Sequence, residues 1–188
     1  MTNDVATLQP NPFEVYATAA TSNRPAFPIA KFNKGDYTSG KYGDEIPVGT
    51  EMVAAMDYLE VGFIDWDNNL PVERIMGRVV DGYVPPKRSD LGKTDKSTWE
   101  TDDRGDPKDP FQLTNEIVLI TRKSSKDIYL FATSSKGGIG AIGELCKVYG
   151  RHMREKPNEW PIITSGARPQ ACHWRNSAVS RTNSAGWV

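Results

Sequence analysis

The sequence predicts a β-rich α+β fold with one main helix and long loops, and three observations predict it. Thirteen Pro and sixteen Gly among 188 residues call for many turns, which suits short strands joined by loops better than a helical bundle. Apolar residues recur at the two-residue period of half-buried strands in the stretches YLEVGFIDW and IYLFAT. Helical spacing is carried by Ile139, Ile142, Cys146, Tyr149 and Met153, with Glu144, Lys147, Arg151 and Arg154 elsewhere on the turn, as in a helix docked on a sheet.

Residues 1–50 read as a flexible or loop-rich amino-terminal segment, because short apolar pieces alternate there with Pro, Gly, Asn and Thr. Phe32 to Val48 has the composition of a mobile loop with little core to offer. Residues 51–188 read as a single β-rich domain. Its first hairpin is YLEVGFIDW, the turn DNNLP and VERIMGRVVDGY, with Val61 and Phe63 sharing one face and Ile75 and Val79 the opposing one. Residues 85–110 hold four prolines and only two large apolar residues, so a long acidic loop is expected, acting as a lid, a competitor for a basic face or a partner-docking segment. The second hairpin is EIVLITR, the turn KSSKD and IYLFATSS. The glycine-rich bend KGGIGAIG leads into the helix, which Pro157 ends. PIITS comes next as a strand, and short strands are expected around Cys172 to Arg175 and at the terminal AGWV.

A chain of this size can bury a core without disulfide or metal support. Two cysteines, Cys146 and Cys172, are too few for a disulfide scaffold, and a reducing, cytoplasmic setting is expected. The start MTNDVATLQPNPF lacks the pattern of a secretory signal, and no segment has the length of a membrane span. The net charge of −1 conceals an imbalance: residues 1–120 hold 12 Lys/Arg against 20 Asp/Glu, whereas residues 121–188 hold 11 against 4. A basic carboxy-terminal third of this kind can steer a polyanion toward one face.

Strand alternation puts Ile128 and Leu130 on one face and Tyr129 and Phe131 on the other. Turned outward beside Arg122, Lys123 and Lys136, the two rings would suit stacking on unpaired bases. The alternative is that they lie beneath a helix or a second sheet. Trp66, at a strand end, is the tryptophan placed best for stacking, and Arg74 and Arg78, four apart on a strand, share a face.

Other motifs point to architecture. Gly138, Gly140 and Gly143 spell GIGAIG between a strand and a helix, but the next strand, PIITSG, ends without the acidic residue that would receive a ribose. Gly137 and Gly138 are therefore expected to permit the sharp turn, and Gly140 and Gly143 to let the helix approach the sheet. Cys146, His152, Cys172 and His173 lack the paired spacing of a zinc site. Asp102, Asp103, Asp106 and Asp109 lack that of a calcium loop. Ser134 and Ser135 are nucleophiles by type only, with no signature placing a base beside them. No cofactor, metal or catalytic residue is expected.

The segments PVERIMGRVVDGYVPPKRSDLG (Pro71 to Gly92), DPFQLTNEIVL (Asp109 to Leu119) and TSSKGGIGAIGELCKVYG (Thr133 to Gly150) resemble an uncharacterised group of proteins encoded by bacterial viruses and prophages, over roughly residues 50–188. The resemblance implies a viral or prophage origin and a bacterial host cytoplasm. The layout of strands around one helix is also similar to an elaborated OB-like barrel and to viral single-stranded-DNA-binding proteins, with one strand more before the helix than the simple pattern. With the aromatic and basic residues above, the OB-like layout points to a non-catalytic protein that binds single-stranded DNA, or RNA, and the viral resemblance places it in phage replication or recombination. Its site would be Trp66, Arg74, Arg78, Arg122, Lys123, Tyr129, Phe131 and Lys136. A protein-binding module that inhibits a host factor through the acidic loop is the alternative, and a nuclease or nucleotide-handling enzyme the third. Self-association is left open, and no membrane contact is expected.

Overall fold

One long strand, β4 (Glu51–Asp67), organises the sheet. The computed structural model describes residues 27–33, 36–123, 127–166 and 178–180. Along one edge β4 pairs throughout with antiparallel β6 (Phe111–Thr121). Along its other edge it pairs first with β8 (Glu159–Thr164) and then, in its second half, with β5 (Leu70–Arg78). The sheet continues from β6 to β7 (Ile128–Thr133), then to β1 (Ile29–Asn33), β2 (Asp36–Ser39) and β3 (Asp44–Ile46), while β9 (Ala178–Ser180) lies beyond β8. Among the described residues the strand pairs are antiparallel except β1 with β7. The result is a strand-rich α+β fold, a sheet curled into a half-barrel with one helix, α1 (Lys136–Glu155).

The curl has a local cause in β4. Between Ala55 and Glu60 the register slips, so that Met56 to Leu59 face the single residue Ile117 of β6. Extra residues on one strand bend it and increase its twist. Leu59, inside this bulge, is fully buried, and the run Met52 to Met56 is buried on both faces, which is why MVAAM shows no alternation. Further along, Asp67 and Leu70 close a two-residue turn in which Asn68 and Asn69 both take positive φ (50° and 60°), the conformation that matches the twist of a hairpin and that Asn tolerates. At Gly62 any Cβ would collide with the Ile75 carbonyl oxygen, so close approach of β5 depends on glycine there.

Both predicted hairpins form, as β4–β5 and β6–β7, and the helix comes after the second. Three features differ from expectation. Phe32 to Val48, read as a loop, supplies part of β1 and all of β2 and β3; Ala30, Ser39 and Ile46 are buried, and parallel pairing with β7 supplies the order that composition concealed. Gly140 and Gly143 do not mediate close approach: both are exposed, and a Cβ on either would meet nothing within 4 Å. It is Gly138 whose Cβ would run into the Thr133 side chain. Met153, assigned to the buried stripe, is exposed, because the helix turns Ile142, Leu145 and Tyr149 toward the core. The strands expected near Cys172 to Arg175 and at AGWV lie outside the described residues.

Candidate functional site

Between α1 and the concave face of the half-barrel lies a cavity of about 240 Å³. Its apolar wall comes from Met52 of β4, Ile117 and Leu119 of β6, Phe131 of β7, Ile163 of β8, and Ala141, Ile142 and Leu145 of the helix, with Phe32 and Tyr37 from β1 and β2. Those last two rings pack against each other, centroids 4.6 Å apart. Thr133, Ser134, Ser135, Thr164 and Ser165 add polar positions, and among the described residues no charged side chain lines it. Two of the hydroxyls hold the frame: Ser135 caps the helix by accepting from the Gly138 amide (3.1 Å), and Ser165 donates to the Pro47 carbonyl (2.8 Å) while accepting from the Thr50 amide (3.0 Å).

The register of β6 settles which way each candidate residue faces. Ile117 pairs with Phe131 and Leu119 with Tyr129, so both rings share the helix side with the cavity wall and not an open outer face. Both pack against the core. The Tyr129 hydroxyl has its pKa raised, first by burial and then by Asp127 and Asp44, with a hydrogen bond from Ser39 opposing the shift. Segment β2–β3 therefore covers the ring. Glu116 pairs with Glu60, which pairs with Arg78, and Gln112 pairs with Ile64, which pairs with Arg74; these positions lie on the opposite side of the sheet. Arg74 and Arg78 do share a face, but it is not the face of Tyr129 and Phe131.

The cations differ in their partners. Arg74 donates to Glu116 (2.7 Å), Arg78 to Asp81 (2.8 and 3.2 Å) and Arg122 to Glu51 (2.8 Å), each guanidinium being half exposed. Lys123 and Lys136 are exposed. Arg122 and Lys123 succeed the end of β6, beside Ile128 of β7, whereas Lys136 lies past the far end of β7, so the two groups bracket that strand roughly 20 Å apart at 3.3 Å per residue. Trp66 is half buried and its indole nitrogen is buried without a hydrogen-bond partner among the described residues. The eight residues thus fall into two groups: Arg122, Lys123, Tyr129, Phe131 and Lys136 around β7, and Trp66, Arg74 and Arg78 on the arm formed by β4 and β5.

Residues 85–110, expected as an acidic loop, carry six Lys/Arg against seven Asp/Glu and fold into short 3-10 turns at Arg88–Leu91 and Lys96–Thr98. Arg88 organises them. Its guanidinium donates to both Asp109 oxygens (2.8 and 2.9 Å) and to the carbonyls of Gly92 (2.8 Å) and Lys93 (3.1 Å), and it lies over the rings of Phe111 and Trp99. Lys93 reaches the buried carboxylate of Asp65 at 2.5 Å, and Glu100 accepts from the Asn68 amide at 2.7 Å. The loop is pinned to the Phe111 end of β6, while Arg122 lies past the other end, roughly 33 Å away by strand rise.

Of the zinc candidates, Cys172 and His173 lie outside the described residues. Cys146 is half buried with its thiol pKa pushed up by burial, and His152 meets Glu159 at 3.0 Å. Trp160 is buried and its indole donates to Asp57 (3.3 Å). Among the described residues no helix is long and apolar enough to cross a membrane. The cavity has little signature in the sequence; its only trace is that β7 carries large apolar residues on both faces, so neither face could be solvent by default. No family model, curated protein or solved structure matches the chain.

Proposed function

We propose that the protein is a non-catalytic binder of single-stranded nucleic acid in phage DNA metabolism, and that the strand is held around β7. The observation that carries this reading is the placing of exposed cations at both ends of β7, Arg122 and Lys123 at one and Lys136 at the other, beside a cavity that has aromatic walls and no charged lining among the described residues. A strand has that same division of chemistry, neutral bases on a charged backbone. The exposed helix adds to it, with Lys136, Lys147, Arg151 and Arg154 against Glu144 and Glu155. The Arg122–Glu51 pair is no obstacle, since exposed ion pairs contribute little and a phosphate can replace the carboxylate. A curled, mostly antiparallel sheet with its helix after the second hairpin supports an elaborated OB-like barrel as the scaffold.

Gel shifts with single-stranded DNA, duplex DNA and RNA at two salt concentrations test the reading. Single strands should bind more tightly than duplex, and the affinity should fall steeply with salt. Equal affinity for duplex, or no binding at low salt, would remove this function. A second reading, a docking module for a host or phage protein, is favoured by Leu70 and Val72, which stand 67% and 63% exposed at the tip of the arm. Under it, Leu70→Ser with Val72→Ser should abolish co-purification of one identified partner while leaving strand binding intact.

A further inference from the structure

We propose that the cavity beneath α1 receives one unstacked purine base of the bound strand, an inference that rests on the reading of the β7 surface as a strand-binding site. Size is the first argument. A cavity of about 150 Å³ lined by Leu, Ile and Phe is dry and admits benzene; the space here, about 240 Å³, has room for a two-ring heterocycle. Chemistry is the second. A charged ligand would find no counter-charge among the described residues of the wall, where no Asp, Glu, Lys or Arg stands. A base is neutral, planar and aromatic, which suits the rings of Phe32, Tyr37 and Phe131, and its polar edge needs the hydrogen-bonding groups that Thr133 and Ser134 offer.

Continuity with the outer surface is the third argument. Ser134 and Ser135 line the cavity and Lys136 is the next residue. A nucleotide whose base lies inside would keep its phosphate beside Lys136, while Arg122, turned to the other side of the sheet with Glu51, would meet the strand farther along. The charges belong outside and the ring inside, and the protein has sorted its residues in that way.

The wall of the helix gives a variant that fills the space without touching a cation. Ala141→Leu projects two further carbon layers into the cavity from a good helix position. The probe is a twelve-residue oligodeoxyadenylate with 2-aminopurine at one internal position, whose emission is quenched by stacking on its neighbours. With the native chain the emission should rise on binding. With Ala141→Leu the rise should vanish and the affinity should fall about fivefold or more, the value of one lost base contact, while the salt slope stays the same because the phosphate contacts remain. Ser134→Ala, which leaves the apolar wall intact and removes a hydroxyl, should give a smaller loss and guards against a filled variant that fails to fold. If the strand binds both chains equally and the emission does not respond, the base does not enter and the inference fails while strand binding stands. If no strand binds the native chain, both fall. If indole or a medium-chain alcohol binds in the cavity and no strand does, the cavity serves an apolar small molecule and the proposal is overturned.

Discussion

The two ends of strand β6 are built on different physics. Around Ile117 and Leu119 the sheet is held by apolar burial: the helix packs on β6 and adds Ile142, Leu145 and Tyr149 to a core shared with β4 and β8. Around Phe111 the order comes from ions, with Arg88 and Lys93 reaching Asp109, Asp65 and two aromatic rings from a loop that has little core of its own. Apolar burial is non-directional and tolerates a gap, so it can enclose a ligand cavity. A charged network is directional and fails when one partner goes. The helix-covered half therefore suits a binding site and the arm suits a rigid projection.

The largest expected effect would sharpen this contrast. Ile117→Ala removes a fully buried side chain from the centre of the core and should cost about 2–5 kcal/mol in chemical denaturation. The loss should be global, seen equally by tryptophan fluorescence and circular dichroism. Should the two probes separate, the halves unfold independently and the single sheet is less cooperative than its continuous hydrogen bonding suggests.

Next in size is Lys93→Met, which leaves the stem and removes the charge facing Asp65. The Asp65 side chain is 4% exposed and Lys93 51% exposed. A carboxylate deprived of its partner in a buried site costs about 3–5 kcal/mol when both are buried, and about 2 kcal/mol is expected here because solvent screens the lysine end. Hydrogen exchange should rise in residues 88–109 and remain unchanged in α1. Protection lost in α1 as well would mean that the arm supports the helix half, so that the two ends of β6 are not independent.

A third prediction tests the division of the surface. Replacing Arg122, Lys123 and Lys136 together by Ala should lower the salt slope of single-strand binding by about 2, at roughly 0.7 per phosphate contact. Replacing Arg74 and Arg78 should leave it unchanged, since they lie on the arm at the far end of β4 and are held by Glu116 and Asp81. A reversed outcome would transfer the strand from β7 to the arm.

These contrasts also explain what could be read in the sequence. The hairpins and the helix were legible because each has a local signature: alternation in IYLFAT, the Asn68–Asn69 turn, the stripe Ile142, Cys146, Tyr149. The facing of β7 was not, because both of its faces are apolar and alternation gives a period without a direction. Strands β1 to β3 were hidden since their order comes from β7, nearly a hundred residues away, and from a few buried side chains in a polar stretch. The pinning of residues 85–110 was hidden for a related reason: Arg88 with Asp109 and Lys93 with Asp65 are pairings of ordinary charged residues whose spacing carries no motif. Around β7 the sequence offers aromatic and basic residues without fixing the side of the sheet on which each lies.

The smallest effect separates two uses of glycine on a single helix. Gly138, Gly140 and Gly143 sit close together in a motif that invites a single explanation, yet only Gly138 meets a neighbour, where a Cβ would strike Thr133 at the end of β7. Gly138→Ala should therefore destabilise, by forcing Thr133 and the capping hydroxyl of Ser135 apart, with a loss of about 1–3 kcal/mol typical of overpacking. Gly140→Ala and Gly143→Ala face open space within a helix interior, where Ala is favoured over Gly by about 0.8–1 kcal/mol, so each should raise the stability by up to that amount. Thermal melts of the three single variants measure the signs directly. A destabilising Gly140→Ala would show that something packs on the outer helix surface in solution. The basic residues Lys147, Arg151 and Arg154 would then flank a covered face, and the exposed cations of the helix could no longer be counted toward the strand.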